Sequence, residues 1–278
     1  MLESGTASES QGDGHGESTV ASTAQPVVRW CTGAGGAGGA AAHGGGPGFT
    51  ECEEQVDPTA TITVRTYRCP WSATSQAPQV ACSVESGYLL VGGGVETEAE
   101  SPGALVVGSY PTSNPMVGSQ VGETWQGSTK DHIVAYPHRS RAYAIGLKLA
   151  GVSKESLLAQ SFLGTAQSSP TPTAWPTVTA VDSRPGDIVV GGGGYGVPSI
   201  GAGQLLTATR PDGTNGWTTA SKDHGVSDPG KSSPLSSAFL AAQRDTLAAA
   251  SSSALRNTWI QACRPATIRA SSKQSRRA

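Results

Sequence analysis

The chain has 278 residues with 21 acidic and 19 basic side chains, a formal net charge of -2, which lacks the basic excess expected of a nucleic-acid binder. Charged residues make up only 14% of it, while 37 glycines and 18 prolines supply turn formers, a balance that suits an extracellular β protein better than a cytosolic enzyme. No apolar run approaches the roughly 18 residues that span a bilayer, so no transmembrane segment is expected.

Residues 1–30 open with Glu3, Glu9, Asp13 and Glu17 and hold little to bury, so a disordered acidic amino terminus is expected. That stretch shows neither the basic start nor the apolar centre of a secretion signal, and an exported chain would have lost its signal or use an unusual one. Residues 31–77 combine a Gly-rich loop with a strand. Nine glycines among positions 32–48 impose too large a backbone entropy cost for a regular element. TITVRTYRC (61–69) then alternates, with Ile62, Val64, Thr66 and Arg68 on one face and Thr63, Arg65 and Tyr67 on the other, and either face could be the wet one.

The five cysteines, Cys31, Cys52, Cys69, Cys82 and Cys263, form no CxxC pair, so no thiolate metal site is expected. Cys31–Cys52 and Cys69–Cys82 would each close a loop, worth about 3 kcal/mol apiece in the chain-entropy model. Cys69–Cys263 is the rival pairing, because both TYRCP and QACRP end an apparent strand on a cysteine.

The remainder is internally repetitive. GYLLVGGGVE (87–96) aligns with GDIVVGGGGY (186–195), ALVVGSYP (104–111) with QLLTATRP (204–211), and ETWQGSTKDH (123–132) with NGWTTASKDH (215–224). Order is preserved and only loop lengths change, so two related β units are expected at 78–150 and 178–263, joined by a linker at 151–177. Each reads as four strands: LLVGGG, ALVVGSY, TWQGSTK and RAYAIGLKL in the first, IVVGGG, LLTATR, WTTASK and SAFLAAQ in the second. PDGTNG in the second unit is a strong hairpin turn, where the first has the longer PTSNPMVGSQVGE. Helix candidates are VSKESLLAQSF (152–162) and the Ala-rich 232–256, which competes with the last strand. Residues 264–278 form a basic tail whose charge complements the acidic amino terminus and could support self-association. The expected fold is all-β: two tandem four-stranded units, sandwich- or prism-like, after a disulfide-stapled Gly-rich segment.

The motif order VGGG, L-x-x-S/T-x-P, W-x-x-x-S/T-K-D-H and Y-A-I-G-L-K resembles a group of bacterial tandem-repeat proteins with no established activity. The resemblance spans roughly 78–150 and 176–245 and implies a repeated β module; it implies no catalytic residue and no cofactor.

Lys-Asp-His occurs twice, as Lys130-Asp131-His132 and Lys222-Asp223-His224, each time with a Trp seven residues before the His and a Pro five residues after it. Neighbouring residues of a strand point to opposite faces, so Asp and His share a target only where the strand ends. A turn joint, with the carboxylate accepting backbone N–H groups, is the main expectation; ligand contact is the second. Acid–base chemistry by His132 or His224 would need a partnered nucleophile, and neither a G-x-S-x-G elbow nor an H-E-x-x-H pair is present. GGGGYG (191–196) fits G-x-G-x-x-G formally, but VPSIGAG follows it, so close packing is expected there rather than a dinucleotide. The repeated Trp125 and Trp217 are expected in the core, whereas the unrepeated Trp71 and Trp175 are candidates to stack on a ligand. His43 and His138 stand apart from these motifs and are expected to be solvated.

These readings point to a non-enzymatic secreted or cell-surface binding module with a glycan as the expected partner. The alternatives are a structural subunit of a surface layer, filament or viral appendage, and a hydrolase using His132 or His224. The candidate binding residues are Trp71, Trp175, Lys130, Asp131, His132, Lys222, Asp223 and His224; no metal, cofactor or nucleic acid is expected.

Overall fold

A computed structural model describes residues 27–31, 49–98, 103–113, 120–131, 134–165, 171–181, 188–197, 204–213, 215–223, 225 and 227–239. They form an all-β protein with one short helix. In chain order the strands are β1 (Val27–Cys31), β2 (Glu51–Val56), β3 (Ile62–Arg68), β4 (Gln79–Ser83), β5 (Leu89–Thr97), β6 (Ala104–Ser113), β7 (Val121–Asp131) and β8 (Ser140–Leu149). Helix α1 (Lys154–Gln160) follows, then β9 (Ser161–Thr165), β10 (Thr177–Val181), β11 (Ile188–Val197), β12 (Leu205–Asp212), β13 (Gly216–Lys222) and β14 (Lys231–Phe239).

All named pairings are antiparallel, in sheets ordered β1-β2-β3-β8-β5, β4-β7-β6-β11-β14-β9 and β10-β13-β12. The strands before and after α1 pair in the same order: β3-β8-β5 faces β4-β7-β6, and β9-β14-β11 faces β10-β13-β12. Six strands of each half thus correspond where four were expected, and β1 and β2 extend the first half's sheet beyond β3. The extra ones are β4 and β10, short strands at the outer side of their sheets, and β3 and β9, which fell in the segments assigned to the amino-terminal region and the linker. Register agrees residue by residue: Gly93 pairs with Ala144 as Gly192 pairs with Ser236, and Tyr110 pairs with Gln126 as Arg210 pairs with Thr218. The register shifts fall at matching places too, between Leu90 and Gly92 and between Val189 and Gly191.

The glycine runs are explained by what lies across the sandwich. A Cβ on Gly93 would overlap the Trp125 indole, and one on Gly192 would lie 2.5 Å from Trp217 Cγ. Each indole donates Nε1–H to a hydroxyl on the adjoining strand, Trp125 to Ser109 at 3.0 Å and Trp217 to Thr209 at 2.7 Å. Next to each Trp the two halves exchange large for small. Val95 fills the space over Gly127, while in the second half Thr219 fills the space over Gly194. GGGGYG is therefore an internal stretch of strand, with Gly193 giving room for the backbone of Ser109 and Tyr110 where β6 crosses β11.

Strand β3 is covered on both faces at different ends. Ile62 and Val64 pack with Leu89, Val91, Leu147, Leu149 and Leu157, whereas Tyr67 enters the second core with Phe49, Tyr88, Leu90 and Trp125. The helix supplies Leu157 to the first cluster; it starts on Ser153, whose hydroxyl accepts Ser156 N–H at 3.2 Å, and carries Glu155 in its first turn. The Ala-rich helix candidate fails at its start, because residues 231–239 form β14. Pairing with β11 on one side and β9 on the other overrides the local composition there, and Pro234 sits just beyond the last β9 pair, Leu235 with Thr165.

Cys69 and Cys82 are joined by a disulfide across 13 residues, which removes the Cys69–Cys263 pairing. Cys52 is also disulfide-bonded, and the β1–β2 register sets Cys31 opposite it. Outside the described residues lie Cys263, the glycine run, His43, both termini and the helix candidate beyond Phe239.

Candidate functional site

The two Lys-Asp-His runs end β7 and β13. Asp131 donates its N–H to Gln76 O at 2.8 Å and its carboxylate accepts Tyr136 N–H at 3.3 Å. Asp223 donates to Ala174 O at 2.9 Å, and its carboxylate accepts Asp228 N–H at 3.1 Å and Gln204 Nε2–H at 2.7 Å. In both halves the carboxylate thus ties the strand end to the residue five positions on, the role of a turn joint. His132 and His224 lie outside the described residues.

Behind each joint is a buried polar cluster, filled differently in the two halves. In the first, His138 Nδ1 is 2.9 Å from Tyr136 O, which only accepts, so Nδ1 carries the proton. His138 Nε2 is 2.9 Å from Thr129 Oγ1, itself 2.6 Å from Ser140 Oγ. His138 is 3% exposed and not solvated as expected; sequence gave no hint of the hydroxyls waiting for it. In the second half Ser221 and Ser232 stand where Thr129 and Ser140 do, Gly230 replaces His138, and Gln204 reaches in from the start of β12 to accept from Ser221 at 2.8 Å. A Cβ on Gly230 would meet Gln204 Cγ at 2.5 Å, so the glycine and the glutamine come as a pair. Thr129 at 1% exposure has no route to a substrate, so its hydroxyl–imidazole pair is structural.

The lysines of the two runs part company. Lys130 is 7% exposed, and burial lowers its pKa against the opposing pull of Asp228 and Asp131. Lys222 instead holds Nζ 5.3 Å from the centroid of Trp175, whose ring is 71% exposed. Trp175 precedes Pro176, which leads into β10, and the Asp223–Ala174 bond fixes the neighbouring backbone.

Trp71 belongs to a separate array on the outer face of β3-β8-β5. Arg141 lies 4.3 Å and Arg139 5.9 Å from its ring centroid, and Arg141 and Arg68 also flank the Tyr143 ring. Glu96 accepts from Arg141 Nε at 2.8 Å and from the Tyr143 hydroxyl. Burial raises its pKa, but those two bonds together with the charges of Arg141 and Arg68 outweigh burial and hold it below the usual carboxylate range. Sequence reasoning singled out Trp71 but missed Arg68, Arg141, Tyr143 and Glu96, which only the β3–β8–β5 register places together. The predicted residues therefore divide between two surface patches, Trp71 on one and Trp175 with Lys222 on the other, and two joints.

Among the described residues no group of three or more His, Cys, Asp or Glu is arranged to hold a metal ion, and no helix is long and apolar enough to cross a membrane. Comparison with protein-family models, with curated proteins and with solved structures gives no match.

Proposed function

We propose that the chain is a duplicated six-stranded β unit that works as a non-enzymatic, extracellular binding module, with Trp175 and Lys222 as its contact with a glycan. The observation that carries this reading is the exposure of Trp175 at 71%, against 2% for Trp125 in the core. The exposed indole offers a flat apolar platform on the face away from Lys222, and the ammonium over its other face adds a donor for hydroxyl or carboxylate groups, the combination a sugar ring uses. The rigid joint at Asp223 holds that platform at low entropic cost. The Cys69–Cys82 disulfide suits an oxidising compartment, which favours a secreted or cell-surface setting.

A glycan array probed with the full chain tests it. Binding to a defined glycan class, reduced roughly tenfold or more by Trp175→Ala at unchanged melting temperature, supports the reading; that loss corresponds to about 1.4 kcal/mol. An array without signal, or binding indifferent to Trp175→Ala and Lys222→Ala alike, removes it.

A further inference from the structure

At the joint between the halves, a strand of one pairs with a strand of the other within a single six-stranded sheet. Strand β6 of the first half crosses β11 of the second, pairing Ser109 with Gly194 and Gly108 with Tyr195. Gly193 is required there because a Cβ would overlap Ser109 O and lie 2.7 Å from Tyr110 Cα, and Tyr110 packs on Tyr195 at 5.0 Å between centroids. Each partner of this joint has an equivalent in the other half that lies at the edge of its sheet. By register, β5 corresponds to β11 and is the outer strand of its sheet, and β12 corresponds to β6 and is the outer strand of its own.

Three features of these leftover strands match a missing neighbour. Gly94 occupies the place of Gly193, yet a Cβ on Gly94 would meet nothing within 4 Å, so nothing among the described residues of the chain explains a glycine there. Ser109 and Pro111 are buried under the joint, whereas their equivalents Thr209 and Pro211 are exposed. The Tyr110–Tyr195 contact is replaced at the equivalent positions by Arg210 and Glu96, a pair of opposite charge. Arg210 is exposed, and the bonds to Glu96 from Arg141 and Tyr143 all end on Oε2, leaving Oε1 to accept.

We propose that β12 of one molecule docks across β5 of a second copy of this chain, repeating between molecules the β6–β11 joint within each, with Arg210 bound to Glu96 of the next copy. The contact is heterologous, since each molecule offers one strand to one neighbour and a different strand to the next, so assembly continues past a single pairing, as a ring or an open chain according to the rotation between copies. It rests on strand edges and steric fit, not on the glycan reading. The internal joint is two residue pairs wide, so association between free molecules is weak and is measured at high protein concentration.

Light scattering coupled to size-exclusion chromatography, from micromolar to millimolar protein, tests the proposal. The wild-type mass is expected to rise above the monomer's 28.1 kDa as concentration increases. Gly94→Val blocks the β5 side and Arg210→Glu the β12 side, and each substitution alone is expected to abolish chain growth at an unchanged melting temperature. Mixed in equal amounts, the two variants are expected to form heterodimers and stop, because one intact β12 face and one intact β5 face remain. A wild-type chain that stays monomeric at every concentration overturns the proposal, as does growth that survives both substitutions or a mixture that forms no heterodimer. If Gly94→Val fails to fold, Arg210→Glu with its rescue by Glu96→Arg decides alone, growth returning only in the double variant.

Discussion

The triplet of glycines in β5 predicts a sharp difference between neighbouring substitutions. An alanine at position 93 places a methyl on the Trp125 ring and 2.5 Å from the Tyr143 carbonyl oxygen. The carbonyl belongs to β8 and cannot retreat without breaking the sheet, and Trp125 at 2% exposure has no free volume beside it. Overpacking of this kind costs about 1–3 kcal/mol, and two rigid neighbours place Gly93→Ala at the upper end, about 3 kcal/mol. One residue further, Gly94→Ala meets nothing and relieves the strand of a glycine, a gain of about 0.5–1 kcal/mol. Urea unfolding followed by far-UV circular dichroism reads the contrast: with a slope near 3 kcal/mol per molar, Gly93→Ala moves the midpoint down by about 1 M while Gly94→Ala leaves it level or raises it. Equal midpoints for the two variants would refute the packing account of the glycine run and return a ligand-cradling role to consideration.

The Val95–Gly127 pair and its inverted counterpart Gly194–Thr219 define a double-mutant cycle: Gly127→Thr alone loses at least about 2 kcal/mol by collision with Val95, and adding Val95→Gly restores part of it, a positive coupling that vanishes if the two sites act independently. Asp223→Ala is expected to destabilise by about 1–3 kcal/mol, since Asp228 N–H loses its carboxylate acceptor and Gln204 Nε2 keeps only Asp228 O, and to weaken glycan binding through the loosened joint beside Trp175; loss of binding with no loss of stability would make Asp223 a ligand contact instead. On the alkaline side, burial pushes the Tyr88 hydroxyl up to about 12 and its bond to Glu54 adds to the shift. Because the folded value lies above the unfolded one, near 10, the stabilisation is complete below pH 10 and is lost as pH rises toward 12; unfolding and phenolate absorbance should therefore appear together in that window, and phenolate forming near pH 10 in the intact fold would contradict the burial.

How much of this was legible in the sequence depends on whether a residue's partner lies nearby in the chain. Strands with strong local signals, such as TITVRTYRC, LLVGGG and the PDGTNG hairpin, fall where the alternation and turn residues put them. Strands β9 and β10 escaped because five residues carry too short a period to register, and the start of β9 overlaps the helix candidate at 152–162. KSSPLSSAF reads against a strand until its two neighbours are known. The repeated Trp and Asp read as core and joint from their recurrence: Trp125 lies in the core against Gly93, Trp217 packs on Gly192 but is only half-buried and outside both core clusters, and the two carboxylates accept the Tyr136 and Asp228 amides at the strand ends.

What sequence comparison of the halves could not supply is the set of positions that differ in pairs. Aligned one at a time, His138 against Gly230 and Ala104 against Gln204 are two unrelated losses of similarity. In space they are one event, because the hole beside Thr129 or Ser221 takes a single polar side chain and either position can deliver it. The same logic governs Val95 with Gly127 against Gly194 with Thr219, where the volume over the strand is constant and its donor changes sides. Such exchanges fix the shape of each core while releasing individual residues, so similarity between the halves underestimates their structural likeness. The same comparison gives weight to a residue retained without a local cause. Gly94 stands where Gly193 does although nothing among the described residues lies within 4 Å of a Cβ there, and a glycine without a local cause at that place is what the proposed docking of β12 requires.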